Sequence, residues 1–177
     1  MVQNDDFARI VEGCKNGHSE CFSQLVDVYA SRCYAYFYRL TGSRDVSDEL
    51  LSELLLKLVT KIGSYKGGAF ESWIFRVASN IFHDHLRTKH RQAKLLETHA
   101  KEIQEEQTPE AKKSDADVSD RLQKQLGKLD ASTRELIMLR FYSELPLREI
   151  AQMRSEPIGT TLSKVHRAMR KLREMME

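Results

Sequence analysis

Apolar residues recur at three- and four-residue steps along most of this chain, and only three prolines interrupt its 177 residues. That spacing marks one face of a helix. With few β-branched runs to oppose it, helix is the favoured backbone for most of the length. Phe22, Leu25, Val26, Tyr29, Cys33 and Phe37 form the first clear stripe, and Thr41-Gly42-Ser43 ends it. Asp45 or Ser47 is the expected cap of the next helix, with Asp48 and Glu49 near its positive end. Leu50, Leu51, Leu54, Leu55, Leu58 and Ile62 give it a wide apolar stripe. Adjacent glycines make Ser64-Tyr65-Lys66-Gly67-Gly68 a loop. Phe70, Trp73, Ile74, Val77, Ala78 and Ile81 then open a further helix, with Trp73 expected in the core.

The polar side of that last helix carries chemistry. Arg76, Asn80, His83 and Arg87 follow at steps of four, three and four, so they share one face. Lys89, His90 and Arg91 extend the cationic run. Such a face binds phosphates and base edges, or it is simply solvated, with cations suited to a helix C-terminus. Spacing alone leaves both readings open.

A length of 177 residues accommodates one ordinary domain or two small ones. The charged fraction of 31% and net charge of +2 describe an unremarkable soluble average, but the charge is unevenly spread. Residues 1–91 carry 12 Lys and Arg against 11 Asp and Glu. Residues 92–120 carry 4 against 8, and residues 121–177 carry 12 against 7. The middle has no aromatic residue and little to bury, so it reads as an acidic linker. Residues 95–103 within it are able to continue a helix. The expected organisation is therefore an all-α protein of two small helical domains, 1–91 and 121–177, joined by a polar linker over 92–120.

The C-terminal segment reads as helix-turn-helix. Asp130 to Glu135 contains cap residues ahead of Leu136, Ile137, Leu139 and Phe141, so a helix is expected to about Tyr142. Pro146 suits the first turn of a short helix ending in Ile150-Ala151. Residues 155–159 form the turn, and Thr160 or Thr161 is the expected cap of a long helix. Leu162, Val165, Met169, Leu172 and Met176 give that helix its expected apolar stripe. Lys164, Arg167, Arg170, Lys171 and Arg173 lie on it with no acid between residues 160 and 173. Thr160, Thr161 and Ser163 stand at its start, where base edges and phosphates would be met. Turn, caps and acid-free cationic helix together favour DNA binding.

Three stretches, in this order and spacing, give the chain its resemblance to bacterial sigma factors of the extracytoplasmic-function (ECF) group of the sigma-70 family. Asp48-Glu49-Leu50-Leu51-Ser52-Glu53-Leu54-Leu55 is similar to that family's acidic helix. Phe70-x-x-Trp73-x-x-Arg76-Val77-Ala78-x-Asn80-x-x-x-Asp84-x-x-Arg87 resembles its promoter-melting stretch. Arg148-Glu149-Ile150-Ala151 with Pro157 to Ala168 resembles its second-domain helix-turn-helix. The resemblance covers about Phe22 to Leu172, apart from the linker. Departures fall at Glu49, where Asp is usual, at Ser52, where Gln is usual, and at Leu55, where Phe is common. Leu162 stands at a position often Lys, and Lys164 at one often Arg.

The resemblance implies a non-catalytic cytoplasmic initiation factor without cofactors, whose partners are core RNA polymerase and promoter DNA. Members are commonly held by an anti-sigma factor, which makes such a protein a further candidate partner. Asp48, Glu49 and Glu53 would meet a cationic polymerase surface. Lys66, Arg76, Asn80, His83 and Arg87 would take the −10 element, with the loop from Ser64 to Ala69 near a flipped base. Arg148, Thr160, Thr161, Ser163, Lys164, Arg167 and Arg170 would take the −35 duplex.

Competing readings are an ordinary helix-turn-helix repressor or activator, and a sigma-like adaptor without promoter activity. A metal-dependent enzyme is remote. Cys14, His18, Cys21 and Cys33 match no standard zinc spacing, and His83 and His85 diverge on a helix. Three unpaired cysteines fit reduced thiols. No apolar run approaches the roughly 20 residues of a membrane span, and no secretory signal is expected.

Overall fold

The computed structural model of the chain describes residues 4–99 and 118–176. Eight α-helices follow in order among them: α1 (Asn4–Lys15), α2 (Ser19–Thr41), α3 (Arg44–Lys61), α4 (Phe70–His99), α5 (Val118–Gly127), α6 (Ala131–Ile137), α7 (Leu147–Met153) and α8 (Ile158–Met176). A 3-10 turn at Ile62–Ser64 follows α3, and a π-helical turn at Met138–Tyr142 follows α6. No strand occurs among the described residues. Helix thus occupies 92–99 and 118–120, at the two ends of the expected linker, while the rest of that segment lies outside the described residues.

The first four helices pack around aromatic and leucine side chains. Leu25, Tyr29, Cys33, Tyr36, Phe37 and Leu40 of α2 are buried against Leu50, Leu54 and Leu58 of α3. Phe70, Ile74, Phe75, Ala78, Ile81 and Phe82 of α4 close the core. Trp73 is partly buried against Phe70 and Tyr65, a packing role. Cys33 sits in this core, and burial pushes its thiol up to about 12. Burial also raises Cys14, to about 11.

Helix ends follow local chemistry, with some shifts from expectation. Gly42 ends α2 at φ 72°, where its amide bonds Tyr38 O at 2.8 Å. The cap of α3 is Ser43, which accepts from Val46 N, rather than Asp45 or Ser47. Ser47 is buried inside the helix and donates to Ser43 O at 2.6 Å. Asp130 caps α6 by accepting from Thr133 N at 2.9 Å. Bonds from Thr133 hold its carboxyl below the ordinary range.

The buried residues of the two halves form one continuous cluster. Helices α5 and α6 lie on the C-terminal end of α2. Gln123 Nε2 donates to Tyr38 O at 3.1 Å. The Arg134 guanidinium donates to Leu126, Gly127 and Leu129 carbonyls, and across the junction to Leu40 O. Arg134 thus satisfies carbonyls at the end of α5 and, through Leu40 O, one at the end of α2. Tyr142 Oη reaches Arg32 O at 3.2 Å. Two sequence-distinct halves therefore share an interface in this structure.

Candidate nucleic-acid interface

Helix α4 carries Arg76, Asn80, His83 and Arg87 on its polar face as expected. Arg76, Asn80 and Arg87 are exposed. His83 is half-buried, with Nε2 3.0 Å from Glu135 Oε2 of α6. Glu135 is only 1% exposed. Its Oε1 accepts from Ser79 Oγ at 2.6 Å, and Arg154 lies 3.6 Å from Oε2. The bond to Glu135 raises the His83 pKa; desolvation, Arg154 and Arg87 oppose it.

A cleft of about 810 Å3 opens beside this cluster, between the two halves. Arg76, Asn80, His83 and Arg87 border it from one side, and Arg154 and Lys164 from the other. Lys57 and Lys61 of α3 add cations that sequence reasoning did not single out. Asp84 tempers them by pairing with Arg87 at 2.7 Å. The −10 candidate face and Lys164 of α8 thus look onto one electropositive space.

The loop before α4 places Lys66 in solvent. Gly67 and Gly68 have φ of 99° and 93°, which side chains rarely tolerate. Tyr65 Oη clasps Gly68 O at 2.5 Å, so the loop is held rather than loose. On α3, Asp48 and Glu49 are exposed, whereas Glu53 is half-buried and bonds Lys57 at 2.6 Å.

Helix α8 presents Thr160, Ser163, Arg167 and Arg170 to solvent, and α7 presents Arg148. Lys164 is bound to Glu156 in the preceding turn. Two expectations fail here. Thr161 is fully buried, with its hydroxyl on Glu156 Oε1 at 3.0 Å, so it orders the turn instead of meeting DNA. Neither Thr160 nor Thr161 caps the helix, which already begins at Ile158. Burial opposes ionisation of Glu156, but bonds from Lys164 and Thr161 outweigh it, and its pKa lies below the ordinary value. The buried stripe of α8 is Thr161, Val165, Ala168 and Leu172. Leu162 was expected in that stripe but is 42% exposed.

These features define an all-helical protein of two joined halves, each with a cationic helix face, the second a helix-turn-helix. Comparison with known proteins gives the class. The family model for Sigma-70 region 2 matches residues 25–92, and that for Sigma-70, region 4 matches residues 125–174. The chain belongs to the sigma-70 family and to its ECF group. It is 25% identical over 176 residues to the ECF RNA polymerase sigma factor SigW of Bacillus subtilis, covering 94% of each chain. It is 28% identical over 157 residues to the ECF RNA polymerase sigma factor SigE of Mycolicibacterium smegmatis, covering 88% of this chain and 61% of that relative. Among solved structures, the sigma factor RpoE of Bartonella quintana, in complex with the anti-sigma factor NepR, matches with a TM-score of 0.70 at 25% identity. That match covers 88% of this chain and 96% of the other. CnrH, solved with the cytosolic domain of CnrY, shares the fold at a TM-score of 0.67 and 20% identity, covering 94% of each chain.

Proposed function

We propose that this protein is an RNA polymerase sigma factor of the ECF type, which directs core polymerase to specific promoters and assists −10 melting. One observation carries the reading: two separately matched regions of one chain each expose a cationic, hydrogen-bonding helix face. On α4 this face is Arg76, Asn80 and Arg87; on α8 it is Thr160, Ser163, Arg167 and Arg170. A simple repressor needs only the second.

The work divides among residues 1–91, the linker 92–120 and residues 121–177. Lys66, Arg76, Asn80, His83 and Arg87 take the −10 element. Asn80 offers donor and acceptor together to an unstacked base. Arg148, Thr160, Ser163, Arg167 and Arg170 take the −35 duplex, with Lys164 at its edge. Asp48, Glu49 and Glu53 face polymerase. Lys57 neutralises Glu53 at its own helix, so Asp48 and Glu49 carry more of that contact. His83 and the cleft become available to DNA when the second half withdraws Glu135. The factor works in the cytoplasm, has no reaction of its own, and has an anti-sigma factor as a further candidate partner. No described helix is long and apolar enough to cross a membrane.

The test adds the purified protein to core polymerase and a genomic DNA library and maps transcript starts. A defined set of starts that disappears with Asn80→Ala is expected. Random starts, or none, would overturn the reading.

A further inference from the structure

Among the described residues, Ile158 and Leu162 form an exposed apolar pair at the start of the helix-turn-helix's last helix. They lie four apart on α8, so their side chains stand on one face of its first turns. Ile158 is 54% exposed and Leu162 42%, although the two halves are packed together. The core side of α8 is already supplied by Thr161, Val165, Ala168 and Leu172. An apolar pair is therefore left facing water at the helix end that a recognition helix puts deepest into the major groove.

The surroundings of the pair choose its occupant. Gly159, Thr160 and Ser163 are small or hydroxylated neighbours that permit close approach. Exposed Arg148 borders the same surface as Ile158, and exposed Arg167 and Arg170 follow further along α8. No acid occurs on α8 before Glu174. A protein partner with a greasy surface does not need cations spread along the same helix pair, but a duplex does, because phosphates line both edges of the groove. The major groove offers one apolar group to a leucine or isoleucine, the thymine C5-methyl. We infer that Leu162, supported by Ile158, is a specificity-determining residue that reads thymine methyl groups in the −35 duplex. Selection at that position is thus for a methyl group rather than for the guanine acceptors that a cationic side chain would choose.

This inference rests on the sigma-factor reading, and the experiment separates the two. The full chain, bound to core polymerase, selects −35 duplexes from a randomised library. Each thymine of the selected duplex is then replaced by deoxyuridine, which removes only the methyl group. At one or two thymines the substitution should weaken binding about four-fold, the worth of one buried methyl. With Leu162→Ala that sensitivity should vanish while the other thymines respond as before. Leu162→Lys should move the selected base at the same step toward guanine. Because Leu162 is exposed, both variants should melt at the temperature of the parent protein. Equal deoxyuridine effects in parent and Leu162→Ala would overturn the inference and leave the sigma reading standing. So would a Leu162→Ala defect confined to assembly with polymerase. Failure of the parent protein to select any duplex would overturn both.

Discussion

The polar faces of α4 and α8 each pair two arginines with uncharged hydrogen-bonding side chains, and they have different fates. The α8 face, with Thr160, Ser163, Arg167 and Arg170, looks outward. The α4 face looks along a cleft whose far wall is the second half, and His83 is engaged by Glu135. What separates them is one buried carboxylate. Glu135 gathers Ser79 and His83 from the first half and Arg154 from the second. A cationic face thus becomes an interface where a carboxylate from elsewhere in the chain covers it, and stays a free surface where none does.

Removing that carboxylate should have the largest effect. In Glu135→Ala, buried Ser79 loses its charged acceptor and half-exposed His83 its screened partner, whereas Arg154 keeps Glu156 at 3.2 Å and Ser132 at 2.7 Å, for a cost of about 3 kcal/mol. The expected readouts are a lower unfolding midpoint and an expanded scattering profile, because the halves separate. An unchanged profile would mean that Glu135 does not hold the interface. Arg134→Met comes next. It strips donors from the Leu126, Gly127, Leu129 and Leu40 carbonyls while keeping the apolar stem. A loss of about 2 kcal/mol is expected by denaturant titration, and a loss near zero would assign those carbonyls to water.

A smaller effect follows from pH. The His83 pKa is raised in the packed state above its ordinary value of 6.5. His83 therefore binds its proton more tightly when the halves are closed. Its contribution to closure is full below that ordinary value and is lost as pH rises through the raised one. Groups facing it are Glu135, Ser79, Arg154 and Arg87. Fluorescence transfer between probes on the two halves should report more closure at pH 6 than at pH 8.5. His83→Gln should flatten that profile, and a profile that persists in this variant would assign the titration elsewhere.

Most helices were legible because their stripes are local. Leu25 to Phe37 and Phe70 to Ile81 announce themselves at three- and four-residue steps, the same spacing places both cationic faces, and the resemblance adds the DNA element each would take. The misses have physical causes. Leu162 and Thr161 are adjacent, and either phase yields a plausible stripe through Val165 and Leu172. An apolar side chain is ordinarily the cheaper one to bury. The structure buries Thr161 because Glu156 satisfies its hydroxyl, which removes the usual penalty. Glu135 was invisible for another reason. Its partners Ser79 and His83 are more than fifty residues away, and no local period encodes that meeting. Ser43 is hard to single out as the cap because Asp45 and Ser47 offer the same chemistry two and four residues later.

The smallest predicted effects compare two cations on α8. Arg167 is exposed, and among the described residues its guanidinium bonds Ser163 O in its own helix, at 3.4 Å. Lys164 is held by Glu156, whose carboxylate already compensates its charge. A cation that neutralises a phosphate releases counterions, and each such contact adds about 0.9 to the salt slope of duplex binding. Arg167→Ala should therefore reduce the slope by about one. Lys164→Ala should reduce it by less, because Glu156 competes with the phosphate for the ammonium group. Glu156→Gln should then raise the effect of Lys164→Ala toward that of Arg167→Ala, since the freed ammonium becomes a full phosphate ligand. Equal slopes for the two alanine variants in the parent background would show that the bridge to Glu156 opens on DNA and that both cations reach the backbone. An unchanged slope in Arg167→Ala would turn that residue away from phosphate and leave Arg148 and Arg170 to hold the duplex.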